Sequence, residues 1–441
     1  MKEFIQKNYK KLIIAIFVLG ILFRTAYIII NPIRINQYDC KIWSLYDLED
    51  YEGVYNLNEE NIGKAGHMYY IMTIYNTFKL PEGTGGQYYH PPLHHFISAM
   101  WLRLMDIFPL NAMQKIESLQ VLSLIYSILI LFLAYKIMEK INMDEIGKLI
   151  SSIFINFFPL FIYMSGFVNN DTLITLFIIL NLYCLIKWNE KPNIINTIIF
   201  ALSIGLGMMV KTSIMVMMLP AVLVFGKKYI SAYNQKEEKQ IKKLIILGII
   251  FAVIALPLSL WHQIRNTVKY DFSMFAIQKP YDHFYSGDAS PLERWGLFSK
   301  DILKNRVLIE DKNIFANVIN SALFCLYENT TVIAYVVKII TVLIGLTSVA
   351  MVIRQVIENY KDENMIIIGL TFLAWIFGFA YFNMSLPYSC TMNSRYIPIL
   401  FIICMIMLGK DTSERKNKLW ISLISTLTVI MSTLSIFMVL K

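Results

Sequence analysis

Long apolar runs, broken by short polar stretches, set the pattern of the chain. LIIAIFVLG, VLSLIYSILILFLA and LIILGIIFAVIALPLSL carry no charged residue. They approach or reach the roughly 20 residues that cross the hydrocarbon core of a bilayer. With no water there to pair with backbone groups, such runs must be helices. The pattern predicts an all-α polytopic membrane protein with about eleven spans (10–13), near 12–30, 117–137, 148–165, 171–188, 194–210, 212–226, 244–261, 331–353, 364–383, 395–409 and 419–440. The first of these is read as a retained helix, because no small-residue cleavage site precedes NPIR.

Charge then orients the spans. The stretch KKYISAYNQKEEKQIKK (227–243) holds six Lys in seventeen residues, whereas residues 31–88 hold four Lys or Arg. That bias places 136–148, 187–192, 227–243 and 410–418 inside, with the N-terminus cytoplasmic and the C-terminus outside. One further apolar stretch, 93–108, would invert every later loop if it crossed. It is therefore predicted to be interfacial or partly inserted. Two long segments then lie outside, 31–92 and 262–330, within one transmembrane domain covering 1–441.

Composition agrees with the membrane assignment. Of 441 residues, 56% are hydrophobic and 16% are charged, and the mean hydropathy is +0.54. A soluble chain of this length carries more polar surface. The formal charge of +9 follows from the loop bias and does not point to nucleic acid. The five cysteines are scattered, with no CxxC and no disulfide framework.

Candidate chemistry gathers on the outer side. All six histidines fall in the two long loops or at the start of the 93–108 stretch. In QYYHPPLHH, the prolines suit the first turn of a helix, where a missing N–H costs nothing. His90 and His94 stand four apart, a spacing that admits a metal on a helix. No HExxH pattern, Cys or carboxylate accompanies them, so a divalent metal is not favoured and no cofactor is assigned. Asp39 sits in INQYDCKIW, among other loop acids. Asp171 sits in SGFVNNDTL at a helix start, where Asn169, Asn170 or Asp171 itself can cap the free N–H groups. Lys211, Arg265 and Arg395 are cations near the same face, read either as snorkelling anchors or as partners of a phosphate. Arg24, inside the first helix, is read as a snorkelling residue.

The ordered set of an acid after the first helix, an HPPL helix start, an NND acid, GMMVK, WHQIRN and a late SRYIP resembles the GT-C superfamily of integral membrane glycosyltransferases. Within it, the resemblance is to the family 39 branch of protein O-mannosyltransferases and aminoarabinose transferases. Each motif alone is weak; the order covers nearly the whole chain. The resemblance implies transfer of a sugar from a polyprenyl-phosphate carrier to a glycan, lipid or protein acceptor at the outer face of a plasma membrane, bacterial by this likeness, with inversion. It implies Asp39 as general base and Asp171 as the acid that orients the acceptor or a neighbouring group. Lys211, Arg265 and Arg395 would bind the donor phosphate, and Tyr89, His90, His94 and Tyr396 would border the cavity. Asp39 lacks the second adjacent acid that many relatives carry. Two other classes remain open. One is a polysaccharide ligase or polymerase using a diphosphate-linked glycan, which would place its key residues in a large late loop. The other is a flippase or transporter, for which inverted repeats and mid-membrane charges are expected.

Overall fold

The structure is a computed structural model that describes residues 2–32, 66–83, 87–272, 274, 284–297, 300–305, 312–325, 328–415 and 417–439. Asp39 and most of the first loop lie outside the described residues. Among the described residues, the chain is helical, with a single bridge between Tyr285 and Tyr388 in place of any strand. In chain order the helices are α1 (Lys2–Ile30), α2 (Gly66–Thr77), α3 (Leu93–Met105), α4 (Ala112–Glu117), α5 (Leu119–Lys140), α6 (Glu145–Phe157), α7 (Pro159–Met164), α8 (Asn170–Glu190) and α9 (Ile194–Met208). They continue as α10 (Met218–Asn234), α11 (Glu238–Tyr270), α12 (Pro291–Trp295), α13 (Ile314–Phe324), α14 (Val332–Glu358), α15 (Glu363–Ser385), α16 (Pro398–Glu414) and α17 (Lys418–Val439).

Eight segments among the described residues are long and apolar enough to cross a membrane. They coincide with eight of the eleven expected spans. The other three fall on shorter pieces: the broken pair α6 and α7, the fifteen-residue α9, and the seventeen-residue α16. The thirteen residues of α3 rise about 20 Å at 1.5 Å each, short of the roughly 30 Å core. Several loops are smaller than the charge pattern suggests. The segment 227–243 is mostly helix, because α10 runs to Asn234 and α11 starts at Glu238. Lys, Glu and Gln are good helix formers, so these helices continue past their apolar stretch. For the same reason α11 does not stop at 261, and His262 and Arg265 sit within it rather than in a loop.

The chain divides into two groups of segments that pack internally. The first comprises Met1–Tyr27, Ile128–Met164 and Lys279–Lys441. Here α16 packs on α6, α14 and α15, and α17 packs on α6 and α14. Gly147 and Gly409 allow close approach: a Cβ on Gly409 would overlap Ser151 Oγ and lie 2.6 Å from the Gly147 carbonyl oxygen. Arg24 is fully buried and donates to the carbonyls of Gly20 (3.1 Å), Asn156 (2.7 Å) and Ile155 (3.2 Å). Pro159, which starts α7, has no N–H for the Ile155 carbonyl four residues earlier, and the guanidinium takes that place. The side chain turns inward and does not snorkel, contrary to expectation. At the far end of α16, buried Asp411 pairs with Arg415 at 2.6 Å and Arg354 at 3.2 Å. The segment 410–418, expected as a loop, therefore begins as helix. The buried helix α13, capped by the Asn313 side chain on Ala316 N–H, lies inside a segment read from sequence as loop.

The second group comprises Ile28–Ser127 and Ser165–Gln278. α9 packs against both α8 and α11, tied to α8 by Asn181 Nδ2 donating to Ser203 Oγ at 2.8 Å. α2 and α3 lie side by side and run the same way. His67 meets His95 near their starts, and Arg103 stacks on Tyr75 and Phe78 near their ends. Arg103 Nε also donates to the Tyr75 carbonyl at 3.0 Å.

Candidate functional site

Backbone contacts bring three of the sequence motifs together in the second group. The N–H of Leu93, at the start of α3, donates to the Met209 carbonyl at 2.9 Å. Asn170 Nδ2, at the start of α8, donates to the neighbouring Val210 carbonyl at 3.4 Å. HPPL, NND and MVK thus share one turn, the one between α9 and the 3-10 segment Thr212–Met217.

At that turn Lys211 Nζ lies 2.6 Å from Asp171 Oδ1. The Asp171 side chain is 3% exposed and that of Lys211 14%. The question of which residue caps α8 is settled by the Asn169 side chain, which accepts from Asp171 N–H at 2.9 Å. With the cap supplied by its neighbour, the Asp171 carboxylate is directed to Lys211. It also lies in the first turn of α8, where the helix dipole favours an anion.

The histidines form a second layer. His67 Nδ1 and His95 Nε2 are 2.9 Å apart. Two nitrogens at that distance share one proton, so one ring donates and the other accepts. His67 also stacks on His90, with ring centroids 5.6 Å apart, and Tyr70 stacks on His95 at 3.9 Å. Tyr89 packs on His90 at 4.1 Å. Both ring nitrogens of His94, Nδ1 of His95 and both nitrogens of His262 are buried with no hydrogen-bond partner among the described residues. Burial pushes the His94 imidazole down to about 3, assisted by His67 and opposed by the charge of Asp171. His95 is held well below the usual imidazole range by burial and by its neighbours His67, His94, His90 and His262. These rings are neutral at physiological pH, each carrying one donor and one acceptor. Among the described residues, no group of three or more His, Cys, Asp or Glu side chains is arranged to hold a metal ion.

The remaining expected residues belong to different groups of segments. Arg265 lies half-buried in the second group, donating to Asn266 Oδ1 at 3.0 Å and lying over the Tyr270 ring. Its charge acts on Tyr70, which links it to the histidine layer. Arg395 belongs to the first group, where Nη2 donates to Tyr396 Oη at 3.0 Å. The 3-10 turn Ser394–Tyr396 that carries both is anchored by Ser321 Oγ, which accepts from Ser394 N–H at 2.9 Å. Sequence reasoning did not single out His67, Tyr70 or His95, and it left open which of Asn169, Asn170 and Asp171 caps α8. His95 is visible in the HPPLHH run. GHMYYIM, which holds His67 and Tyr70, carries no motif that would single it out.

Residues 89–261 match the family described as dolichyl-phosphate-mannose-protein mannosyltransferase. That segment contains Tyr89, His90, His94, Asp171 and Lys211. No curated protein matches the chain. Among solved structures, the Archaeoglobus fulgidus oligosaccharyltransferase in its apo form is similar, with a TM-score of 0.50 and 10% identity. The match covers 97% of this chain and 56% of that one, so the chain spans little more than half of that protein's length. The chain shares the helical fold of that structure, and residues 89–261, about two fifths of its length, match the mannosyltransferase family model.

Proposed function

We propose that the chain transfers a glycosyl group from a polyprenyl-phosphate carrier to a hydroxyl acceptor at the outer face of the membrane, with inversion. The observation that carries this reading is the convergence of HPPL, NND and MVK on the Lys211–Asp171 pair, inside the segment that matches a mannosyltransferase family. In the step proposed, the acceptor oxygen attacks the anomeric carbon and Asp39 takes its proton. The bond from that carbon to the phosphate oxygen breaks, and polyprenyl monophosphate leaves. Charge grows on the phosphate, so fixed cations act more strongly in the transition state than in the ground state. Lys211 and Arg265, both in the second group, are the proposed phosphate partners, and the family resemblance gives Arg395 the same role. Asp171 holds the Lys211 ammonium in place and orients the acceptor. His90 and Tyr89 are proposed to border the sugar, and the family resemblance gives His94 and Tyr396 the same role.

The test is transfer from a synthetic polyprenyl-phosphate sugar by the purified chain in vesicles, followed by release of polyprenyl monophosphate. Asp39→Asn is expected to abolish release while leaving donor binding intact; full activity would remove Asp39 as the base. No divalent cation enters the step. Transfer that survives exhaustive chelation agrees with it, and loss restored by Mg²⁺ overturns it.

A further inference from the structure

The second group of segments carries a pocket that the transfer reaction does not use. It is an open apolar recess of about 200 Å³ between α8, α9, α10 and α11, lined by Trp188, Phe200, Phe225, Leu247, Gly248 and Phe251 among others. Clefts walled by aromatic and aliphatic side chains are the common form of small-ligand sites. The one polar handle of Trp188 is satisfied internally, since its Nε1 donates to Thr197 Oγ1 at 2.9 Å. Its ring packs on Phe225 with centroids 6.0 Å apart and stays with the apolar wall. Gly248 lines the recess, and a Cβ there would rest in ordinary contact with Phe225 at 3.4 Å, so a larger side chain is needed to fill it.

Lysines outnumber acidic residues at one end of this recess. α8 and α10 both run toward the lysine-rich end, and α11 runs away from it, as chain order and the short connection 235–237 require. Lys191 follows Trp188 by three residues, Lys228 follows Phe225 by three, and Lys243 precedes Leu247 by four. Residues three or four apart on a helix share a face. Two helices therefore place a lysine one turn from a wall residue, Lys191 follows the end of α8 as its C-cap, and all three lysines lie at the same end. Lys191 and Lys243 are exposed and Lys228 is half-buried. An apolar recess with a cationic rim at one end complements a molecule with an apolar chain and an anionic head.

We propose that this recess is a binding site for one anionic glycerophospholipid of the leaflet at the lysine-rich end. An acyl chain fills the aromatic recess, and the phosphate sits among Lys191, Lys228 and Lys243. The charge bias of the loops assigns that end to the cytoplasmic leaflet, so the site is separate from the proposed outer-face chemistry and does not depend on it.

Trp188 supplies its own reporter. The purified full chain is reconstituted in vesicles of phosphatidylcholine containing a minor fraction of brominated phosphatidylglycerol, or of brominated phosphatidylcholine in its place. The Trp188 share of the fluorescence is obtained by difference from Trp188→Phe. Brominated phosphatidylglycerol is expected to occupy the site roughly tenfold more readily than brominated phosphatidylcholine, a conservative figure for a few basic residues at a membrane surface. The triple variant Lys191→Gln/Lys228→Gln/Lys243→Gln is expected to lose that preference while still being quenched. Gly248→Leu, which fills the recess, is expected to lose quenching by both lipids. Equal quenching of the wild type by the two lipids overturns the proposal, as does a preference unchanged in the triple variant. Displacement of the brominated lipid by a stoichiometric amount of polyprenyl phosphate would also overturn it, since the site would then belong to the donor.

Discussion

Lys211 Nζ and Asp171 Oδ1 meet at 2.6 Å, joining the turn after α9 to the first turn of α8 with both side chains largely out of solvent. Removing one partner of a buried pair leaves the other charge uncompensated, at a cost of about 3–5 kcal/mol. Asp171→Asn is therefore expected to lower the thermal unfolding midpoint in detergent and to reduce transfer. The double variant Asp171→Asn/Lys211→Met should be less destabilised than the sum of the singles. Strict additivity in a thermal-shift cycle would show that the two do not act as a unit.

Arg395 is held by its own turn, with the guanidinium over the Tyr396 ring and Nη2 bonded to Tyr396 Oη. A hydrogen bond to a charged group contributes about 1.5–3 kcal/mol. Arg395→Gln is expected to raise the KM for the polyprenyl-phosphate donor roughly 10- to 100-fold, with the acceptor KM little changed. Equal effects on both KM values, or none on the donor, would remove the phosphate role.

The buried histidines make stability depend on pH. His94 falls from an ordinary value of 6.5 to about 3 in the folded chain, chiefly because it is buried. Between those two values the unfolded chain binds a proton that the folded chain does not. Stability is therefore complete above about pH 6.5 and declines as pH falls toward 3, by up to about 1.4 kcal/mol per pH unit for one such group. His95 shifts in the same direction. Unfolding midpoints measured from pH 7.5 to 4.5 should fall with acidity, and His94→Leu should flatten the slope. An unchanged slope in that variant would show that His94 is protonated or exposed before unfolding.

Two glycines in long helices are expected to respond in opposite ways to a single methyl group. Gly409→Ala places a Cβ onto Ser151 Oγ and close to the Gly147 carbonyl, so α6 and α16 must separate. Overpacking of this kind costs about 1–3 kcal/mol. Gly345→Ala, in α14, meets nothing within 4 Å and should be neutral or stabilising by up to about 1 kcal/mol through helix propensity. Thermal midpoints of the two variants in the same detergent decide it.

Particular residues show what the sequence could and could not convey. Eight of the spans were legible because uninterrupted apolar runs admit one structure in a bilayer. HPPL, NND and MVK were legible as an ordered set of motifs, and Leu93 and Asn170 bring all three to one turn of the fold. Which of Asn169, Asn170 and Asp171 caps α8 was not legible, since all three side chains can accept from a helix N-terminus. The choice depends on Lys211, forty residues on. His67 was silent for a similar reason: its meaning comes from His95 and His90, which only the pairing of α2 with α3 brings near. Arg24 was misread because a lone arginine near a helix end looks the same whether it reaches outward or inward. The deciding partner is a carbonyl set free by a proline in another helix.

That arrangement of Arg24 has a consequence for how the chain is made. Its carbonyl partners in residues 155 and 156 lie 131 and 132 positions later. At ordinary rates of synthesis, on the order of ten seconds pass before they emerge. During that interval the first helix enters the membrane with a guanidinium that has, besides the Gly20 carbonyl of its own helix, only water or lipid headgroups to pair with. The helix must therefore sit shallow or tilted at first, and it reaches its final depth when the break at Pro159 arrives to receive it. Insertion of the N-terminus is thus completed by a later segment, so truncation before Pro159 should leave the first helix accessible to water-soluble labels.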